Sequence, residues 1–166
     1  MRRRHKGLRE LVNLRWWLVP RWAKQVKSQY TMFNAAGETL LERPAYRAPF
    51  KHQRCLVPVD GFFEWTPTGD KGKKIKYRFG LKDGRLFAMA GLWERAEMVE
   101  GGPVESFTIV TVAANPLVAR YHAKGRMPAI LKPEAFAAWL DPKTPIEQAQ
   151  RLLTTYPEEE MEARAA

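Results

Sequence analysis

One cysteine, three histidines and no long apolar run are the scarcities that bound this chain of 166 residues. The lone Cys55 excludes an internal disulfide and any multi-cysteine metal site, and it fits a reducing compartment such as the bacterial cytoplasm. His5, His52 and His122 show no HExxH or comparable spacing, so neither a metal nor another cofactor is expected. No window approaches the roughly 18 apolar residues that a membrane helix requires, and no membrane contact is expected. The opening Met1-Arg2-Arg3-Arg4-His5-Lys6 has the charge of a signal n-region, but the residues after it alternate apolar with Arg, Glu and Asn and supply no h-region. Internal repeats and low-complexity linkers are missing too.

What is present is enough apolar residue, 45% of the total, for one domain with its own core. The formal net charge is +10, which favours a polyanionic partner through a long-range, salt-sensitive field. The charge is uneven. Residues 1 to 27 hold nine Lys or Arg (Arg2, Arg3, Arg4, Lys6, Arg9, Arg15, Arg21, Lys24, Lys27) against Glu10 alone, whereas Glu158, Glu159, Glu160 and Glu162 make the tail acidic. Nucleic acid is the leading partner class, with a merely soluble basic protein as the alternative.

Runs rich in β-branched and aromatic residues predict strands at 55–59, 62–66, 75–81, 86–93 and 107–113, with Lys82-Asp83-Gly84-Arg85 as a hairpin turn between the third and fourth. Asn115-Pro116 predicts a helix over 116–122, Pro133 opens one through Leu140, and Thr144-Pro145-Ile146-Glu147 reads as a capping box starting 145–154. Strands come first and helices mostly last. That order predicts an α+β domain with a mostly antiparallel, barrel-like curved sheet flanked by short helices, not a doubly wound parallel sheet.

The stretch Arg54-Cys55-Leu56-Val57-Pro58-Val59-Asp60-Gly61-Phe62-Phe63-Glu64-Trp65 sets one acid between two aromatics after a break at Asp60-Gly61. Desolvation there would raise the carboxyl pKa and suit it to proton transfer. A hairpin whose Glu64 points to solvent by period-2 alternation fits the same residues.

That stretch, together with Trp16-Trp17-Leu18-Val19-Pro20-Arg21-Trp22-Ala23-Lys24, Asn34-Ala35-Ala36-Gly37-Glu38-Thr39, Pro44-Ala45-Tyr46-Arg47, Gly91-Leu92-Trp93-Glu94, Thr108-Ile109-Val110-Thr111 and His122 through Leu131, resembles the SOS response-associated peptidase (SRAP) family in order and largely in spacing. The resemblance runs from about residue 9 to 164. It implies abasic-site processing in the DNA-damage (SOS) response: a monomer, acting at the nucleoid, would bind single-stranded DNA containing abasic sites. An N-terminal Cys, freed by self-processing of the initiator Met, would capture the sugar aldehyde as a Schiff base that closes to a thiazolidine. An α-amine suits this because its pKa of about 7.7 to 8.0 leaves a neutral fraction at pH 7.

Carried onto this sequence, the resemblance implies Glu64 as the acid/base of imine formation, Asn34 as the amide orienting nucleophile and sugar, and His122 as the imidazole assisting sugar opening. It implies Trp22 as a base-stacking aromatic, and Thr111 and Arg126 as DNA-facing residues. Simpler readings stand beside these: Asn34 as a turn residue, His122 as a helix C-terminal cap, Thr111 as an ordinary strand residue, and Trp16 and Trp17 as core or sheet-covering rings.

Several departures accompany the resemblance. Residue 2 is Arg2, where the family begins Met-Cys-Gly-Arg, and the tail ends before the family's closing strand, so a single domain over 1–166 incomplete at its front and end is expected. Cys55 matches an ordinary strand cysteine and is expected in the core. Ala36 stands where the family has a phosphate-holding Arg, and the link from His122 to Arg126 is two residues longer than usual. Two functions therefore compete: covalent crosslinking to abasic DNA, and single-strand binding without covalent chemistry. A general protease is a weaker third, since no Cys-His signature surrounds Cys55.

Overall fold

The chain passes three times between two sheets, twice at breaks in the strand pattern and once through the helices near its end. The computed structural model describes residues 2–5, 8–26, 31–68, 73–122 and 124–166. Its strands are β1 (Arg2–His5), β2 (Leu8–Leu11), β3 (Arg15–Trp16), β4 (Asn34–Ala36), β5 (Arg54–Val59), β6 (Phe62–Pro67), β7 (Lys74–Leu81), β8 (Phe87–Ala96), β9 (Val104–Ala113), β10 (Arg126–Pro128), β11 (Ile130–Leu131) and β12 (Met161–Ala165). The helices are α1 (Pro44–His52), α2 (Pro116–Ala119), α3 (Phe136–Leu140) and α4 (Ile146–Arg151). A nine-stranded sheet runs β10-β9-β8-β5-β1-β2, with β11 on β8 and with β3 and β4 on β9; a three-stranded sheet runs β12-β7-β6.

The α+β, mostly antiparallel architecture follows the sequence, but both expected hairpins fail. β5 pairs with β8 and β6 with β7, so Asp60-Gly61 carries the chain from one sheet to the other. A Cβ on Gly61 would lie 2.7 Å from the Phe79 carbonyl oxygen, so only glycine lets the chain pass β7 this closely. Arg78 then clamps the crossing, donating to the Asp60 carbonyl at 2.8 Å and pairing with its carboxylate at 3.1 Å. Lys82-Asp83-Gly84-Arg85 does turn, with Gly84 at φ +71° and its N–H donating to Leu81, but β7 continues into no hairpin with β8; its second partner is β12.

The helices correct two further expectations and add one element. Asn115 caps α2 through its side chain, accepting from the Val118 N–H at 2.8 Å, yet α2 stops at Ala119, before His122. The capping box at Thr144 does not form, because the Thr144 hydroxyl donates to Ala138 at 2.7 Å and Pro145 holds the cap position of α4. The segment Pro44-Ala45-Tyr46-Arg47, read only as a family marker, opens α1, whose interior Pro49 hides it from any helix signal.

Apolar side chains pack on both faces of β5 and β8, so these strands read as almost continuous buried runs. Cys55 is fully buried there, as expected, and Gly91 beside it leaves room for its sulfur: a Cβ on Gly91 would lie 2.9 Å from Cys55 Sγ. Trp139 of α3 is fully buried and ties the helix to β5 through its indole N–H on the Cys55 carbonyl at 2.8 Å. Arg54 is also buried, and its guanidinium donates to the carbonyls of Phe50 and Lys51 at the end of α1 and of Trp139 and Asp141 at the end of α3. Those are carbonyls that helix ends leave unpaired, and they carry the negative ends of two helix dipoles. Burial holds the Arg54 pKa below its ordinary value, with Asp141 acting in the opposite sense.

Candidate functional site

Exposure alternates along β6. Phe63 and Trp65 point outward, where the Lys76 ammonium sits 3.9 Å from the Phe63 ring centroid and 5.9 Å from that of Trp65. Glu64 points the other way. Its cross-strand neighbour on β7 is Tyr77, whose ring packs 4.3 Å from Tyr121, and Tyr121 precedes His122. Thr66, on the same side of β6, donates to the Tyr121 carbonyl at 2.9 Å. This contact and the two tyrosines fix the loop after α2 against the smaller sheet.

The result brings Glu64 Oε2 to 3.6 Å from His122 Nε2, just beyond hydrogen-bonding distance, with side chains 20% and 24% exposed. Burial raises the Glu64 pKa to about 7, so its acid and carboxylate forms coexist near neutrality. His122 is held below its ordinary value, by burial first and then by the charges of Lys124 and Arg126. Geometry adds a second reason: His122 Nδ1 accepts the Arg126 amide N–H at 3.1 Å, which leaves the imidazole proton on Nε2, facing Glu64. The pair is therefore not a full salt bridge at neutral pH, since the imidazole is neutral and the carboxyl only partly ionised.

Asn34 and Thr111 lie on the other sheet. β4 runs parallel to β9, with Asn34 opposite Ile109 and Ala36 opposite Thr111, while Pro128 of β10 faces Thr111 from the other side. Asn34 is exposed and its carbonyl accepts from the Tyr46 hydroxyl at 3.4 Å. The Thr111 hydroxyl is nearly buried, donating to Ala35 at 3.5 Å. Arg126 reaches over the same face, but its guanidinium is already committed: a two-pronged pair with Glu38 at 2.8 and 2.9 Å, and bonds to the Thr111 carbonyl and hydroxyl at 2.7 and 3.3 Å. That pair holds the Glu38 carboxyl below its ordinary pKa. Arg126 thus acts here as a clasp between β10 and the turn after β4. Glu38 belonged to a segment singled out in the sequence, yet nothing there signalled its partner 88 residues on.

The remaining aromatics divide. Trp22 is 55% exposed, at the mouth of a shallow basic pocket with Arg21, Pro44, Arg47, Lys51 and His52. Trp17 packs against the core as expected, its ring 5.4 Å from Phe33, although its backbone sits at φ +121°, a strain of about 1 to 3 kcal/mol for a bulky residue. Trp16 is not in the core: it is 56% exposed, on the open face of the larger sheet. Of the basic cluster over 1 to 27, Lys6 and Lys27 lie outside the described residues, as do the side chains of Arg2, Arg3 and Arg4. Among the described residues no His, Cys, Asp and Glu group could hold a metal ion, and no helix is long and apolar enough to cross a membrane.

Comparison with known proteins gives a concordant picture. The family model described as "SOS response associated peptidase (SRAP)" matches residues 1–166. The chain is 44% identical over 154 residues to the abasic site processing protein YoqW of Bacillus subtilis, a match covering 92% of this chain and 67% of that protein. It is 34% identical over 169 residues to the abasic site processing protein HMCES of Gallus gallus, covering 87% of this chain and 49% of that one. It therefore spans about two thirds of the bacterial relative and about half of the avian one. Two crystal structures share the fold: a protein from Bordetella bronchiseptica at TM-score 0.85 and 30% identity (99% of this chain, 81% of that one), and one from Bacteroides thetaiotaomicron at 0.82 and 34% (90% and 66%).

Proposed function

The chain belongs to the SOS response associated peptidase (SRAP) family, and from that membership we propose that it processes abasic sites in single-stranded DNA, with Glu64 and His122 moving the protons. The observation that carries this reading is the carboxyl with a pKa of about 7 set 3.6 Å from a neutral imidazole. A ring-opened abasic sugar presents an aldehyde. When an amine adds, the carbonyl oxygen becomes a hydroxyl and departs as water, while the nitrogen sheds its protons. In ring opening the anomeric hydroxyl gives its proton to the Glu64 carboxylate as the bond from C1 to the ring oxygen breaks, and that oxygen, held by a hydrogen bond from His122 Nε2–H, takes a proton from solvent; in imine formation Glu64 in its acid form delivers a proton to the departing oxygen, and its carboxylate recovers one from nitrogen. A group whose pKa matches the working pH serves both directions.

Thiazolidine closure, in which a thiolate next to that amine adds to the imine carbon, requires an exposed thiol. The single cysteine, Cys55, is fully buried on β5. That observation favours the second reading, single-strand binding without covalent capture, for these 166 residues taken alone. Cys55→Ala is accordingly expected to leave any reaction with abasic DNA unchanged and to reduce stability by about 1 kcal/mol, the scale of a small core truncation. Loss of adduct in a variant whose circular dichroism is native would make Cys55 the nucleophile.

Fluorescence anisotropy with an abasic single strand tests the binding half of the proposal. Affinity should fall steeply as salt rises, because neutralised phosphates release counterions. Trp22→Ala should weaken it by about 1 to 3 kcal/mol, the worth of one stacked base. Binding that ignores salt, or that treats the strand no better than an uncharged polymer, would sink the reading.

A further inference from the structure

Register along β9 orders the open face of the larger sheet. β3 and β4 lie end to end on one edge of β9, with Trp16 opposite Phe107, Asn34 opposite Ile109 and Ala36 opposite Thr111. Opposed residues share a face, so Trp16, Asn34 and the Thr111 clasp stand in one row, each step two residues of strand, or about 6.6 Å. The other face, through Ser106, Thr108 and Val110, is fully buried.

Trp16 is held rigidly on that open face. Its indole N–H donates to the Phe33 carbonyl at 2.9 Å, and its ring meets the edge of Phe33 with centroids 5.8 Å apart; Phe33 directly precedes Asn34. A second indole, that of Trp17, also packs against Phe33, with centroids 5.4 Å apart. A hydrophobic ring that is 56% exposed yet fixed by a hydrogen bond and an aromatic edge loses little entropy when something stacks on it. The same stretch of chain is basic and exposed at Arg15 and Arg21, which favours an anionic polymer as occupant, although Arg15, opposite Ser106, is on the face away from Trp16.

We propose that Trp16 is the stacking platform for the base next to the abasic position, one step along β9 from a sugar held at Asn34. This inference rests on the single-stranded DNA reading above. The step of about 6.6 Å is roughly twice the 3.4 Å rise of a stacked strand, so the neighbouring base reaches the ring with the backbone extended across the gap that the missing base leaves. Every base has a π-face, so the contact reads the presence of a neighbour and not its identity. Trp16 would then act as a positioning residue that sets the gap in the stack against Asn34.

Affinity is measured for a thymine oligonucleotide with one reduced abasic analogue, and for the same strand with the bases on both sides of the analogue also removed. Trp16→Leu, which keeps apolar bulk but loses the π-face, should bind the first strand roughly 5- to 150-fold more weakly than wild type. It should bind the second strand as wild type does. Trp16→Phe should recover most of the loss and keeps the variant set interpretable if the Leu form is unstable. Equal losses on both strands would make Trp16 merely structural, and no loss on either would overturn the proposal. Failure of the wild type to bind any single strand would instead remove the reading on which it rests.

Discussion

Glu64→Gln is expected to slow adduct formation with an abasic single strand by on the order of 10² to 10⁴, with DNA affinity nearly unchanged. The amide keeps the shape of the carboxyl but can neither give nor take a proton at neutral pH. Borohydride trapping of the imine over time, with binding measured separately, divides the two effects. The same change should stabilise the fold above pH 7. In the unfolded chain Glu64 loses its proton near its ordinary value of 4.5, and in the fold near 7. Between those values the folded chain holds a proton that the unfolded chain has released, so wild-type stability declines as pH rises through this window and levels off above it. The gap corresponds to at most about 3 kcal/mol. A glutamine at this position would not carry that penalty, so urea melts of the two proteins should coincide near pH 4 and diverge by pH 8. A wild type more stable than Glu64→Gln at pH 8 would mean that the carboxylate is welcomed by its surroundings and is not poised for proton transfer.

Arg54→Met should be the most damaging single change to stability, at about 3 to 5 kcal/mol. Methionine fills part of the volume but removes the donor from the buried carbonyls of Phe50 and Trp139 and from the half-buried ones of Lys51 and Asp141. For a domain of this size the loss corresponds to a Tm lower by roughly 6 to 20 °C. Arg54→Lys should recover little, since one ammonium cannot span two helix ends in the plane that the guanidinium fork uses. A midpoint shift worth less than about 1 kcal/mol, at unchanged m-value, would show that water reaches those carbonyls.

How much of this was legible beforehand depends on how each feature is written in the chain. Long apolar runs, β5, β7, β8 and β9, read correctly to within a few residues, as did Asn115 capping α2. Pairing did not. Asp60-Gly61 and Lys82-Asp83-Gly84-Arg85 have the composition of hairpin turns, and only the pairing of β5 with β8 and of β6 with β7 reveals that each crosses between sheets. β3 and β4 are two and three residues long and exist only because β9 offers an edge, so no local signal predicts them. Glu64 was conspicuous on its own residues, flanked by Phe63 and Trp65. Its meeting with His122, by contrast, depends on Thr66 and Tyr121 fixing a loop, and only a family resemblance could bring those residues together in advance.

The parallel seating of β4 on β9 also has a consequence in time. The Thr111 hydroxyl meets the Ala35 carbonyl across 76 residues of sequence, so the strand that carries Asn34 has no sheet to join until β9 has been made. At ribosomal rates that interval is on the order of 4 to 15 s. Throughout it the tryptophan-rich segment beside β4 has no β9 to pack on, and the approach of Glu64 to His122 is completed later still. The nascent chain therefore spends its most adhesive period before Glu64 and His122 can meet, and that is when a chaperone has the most to shield.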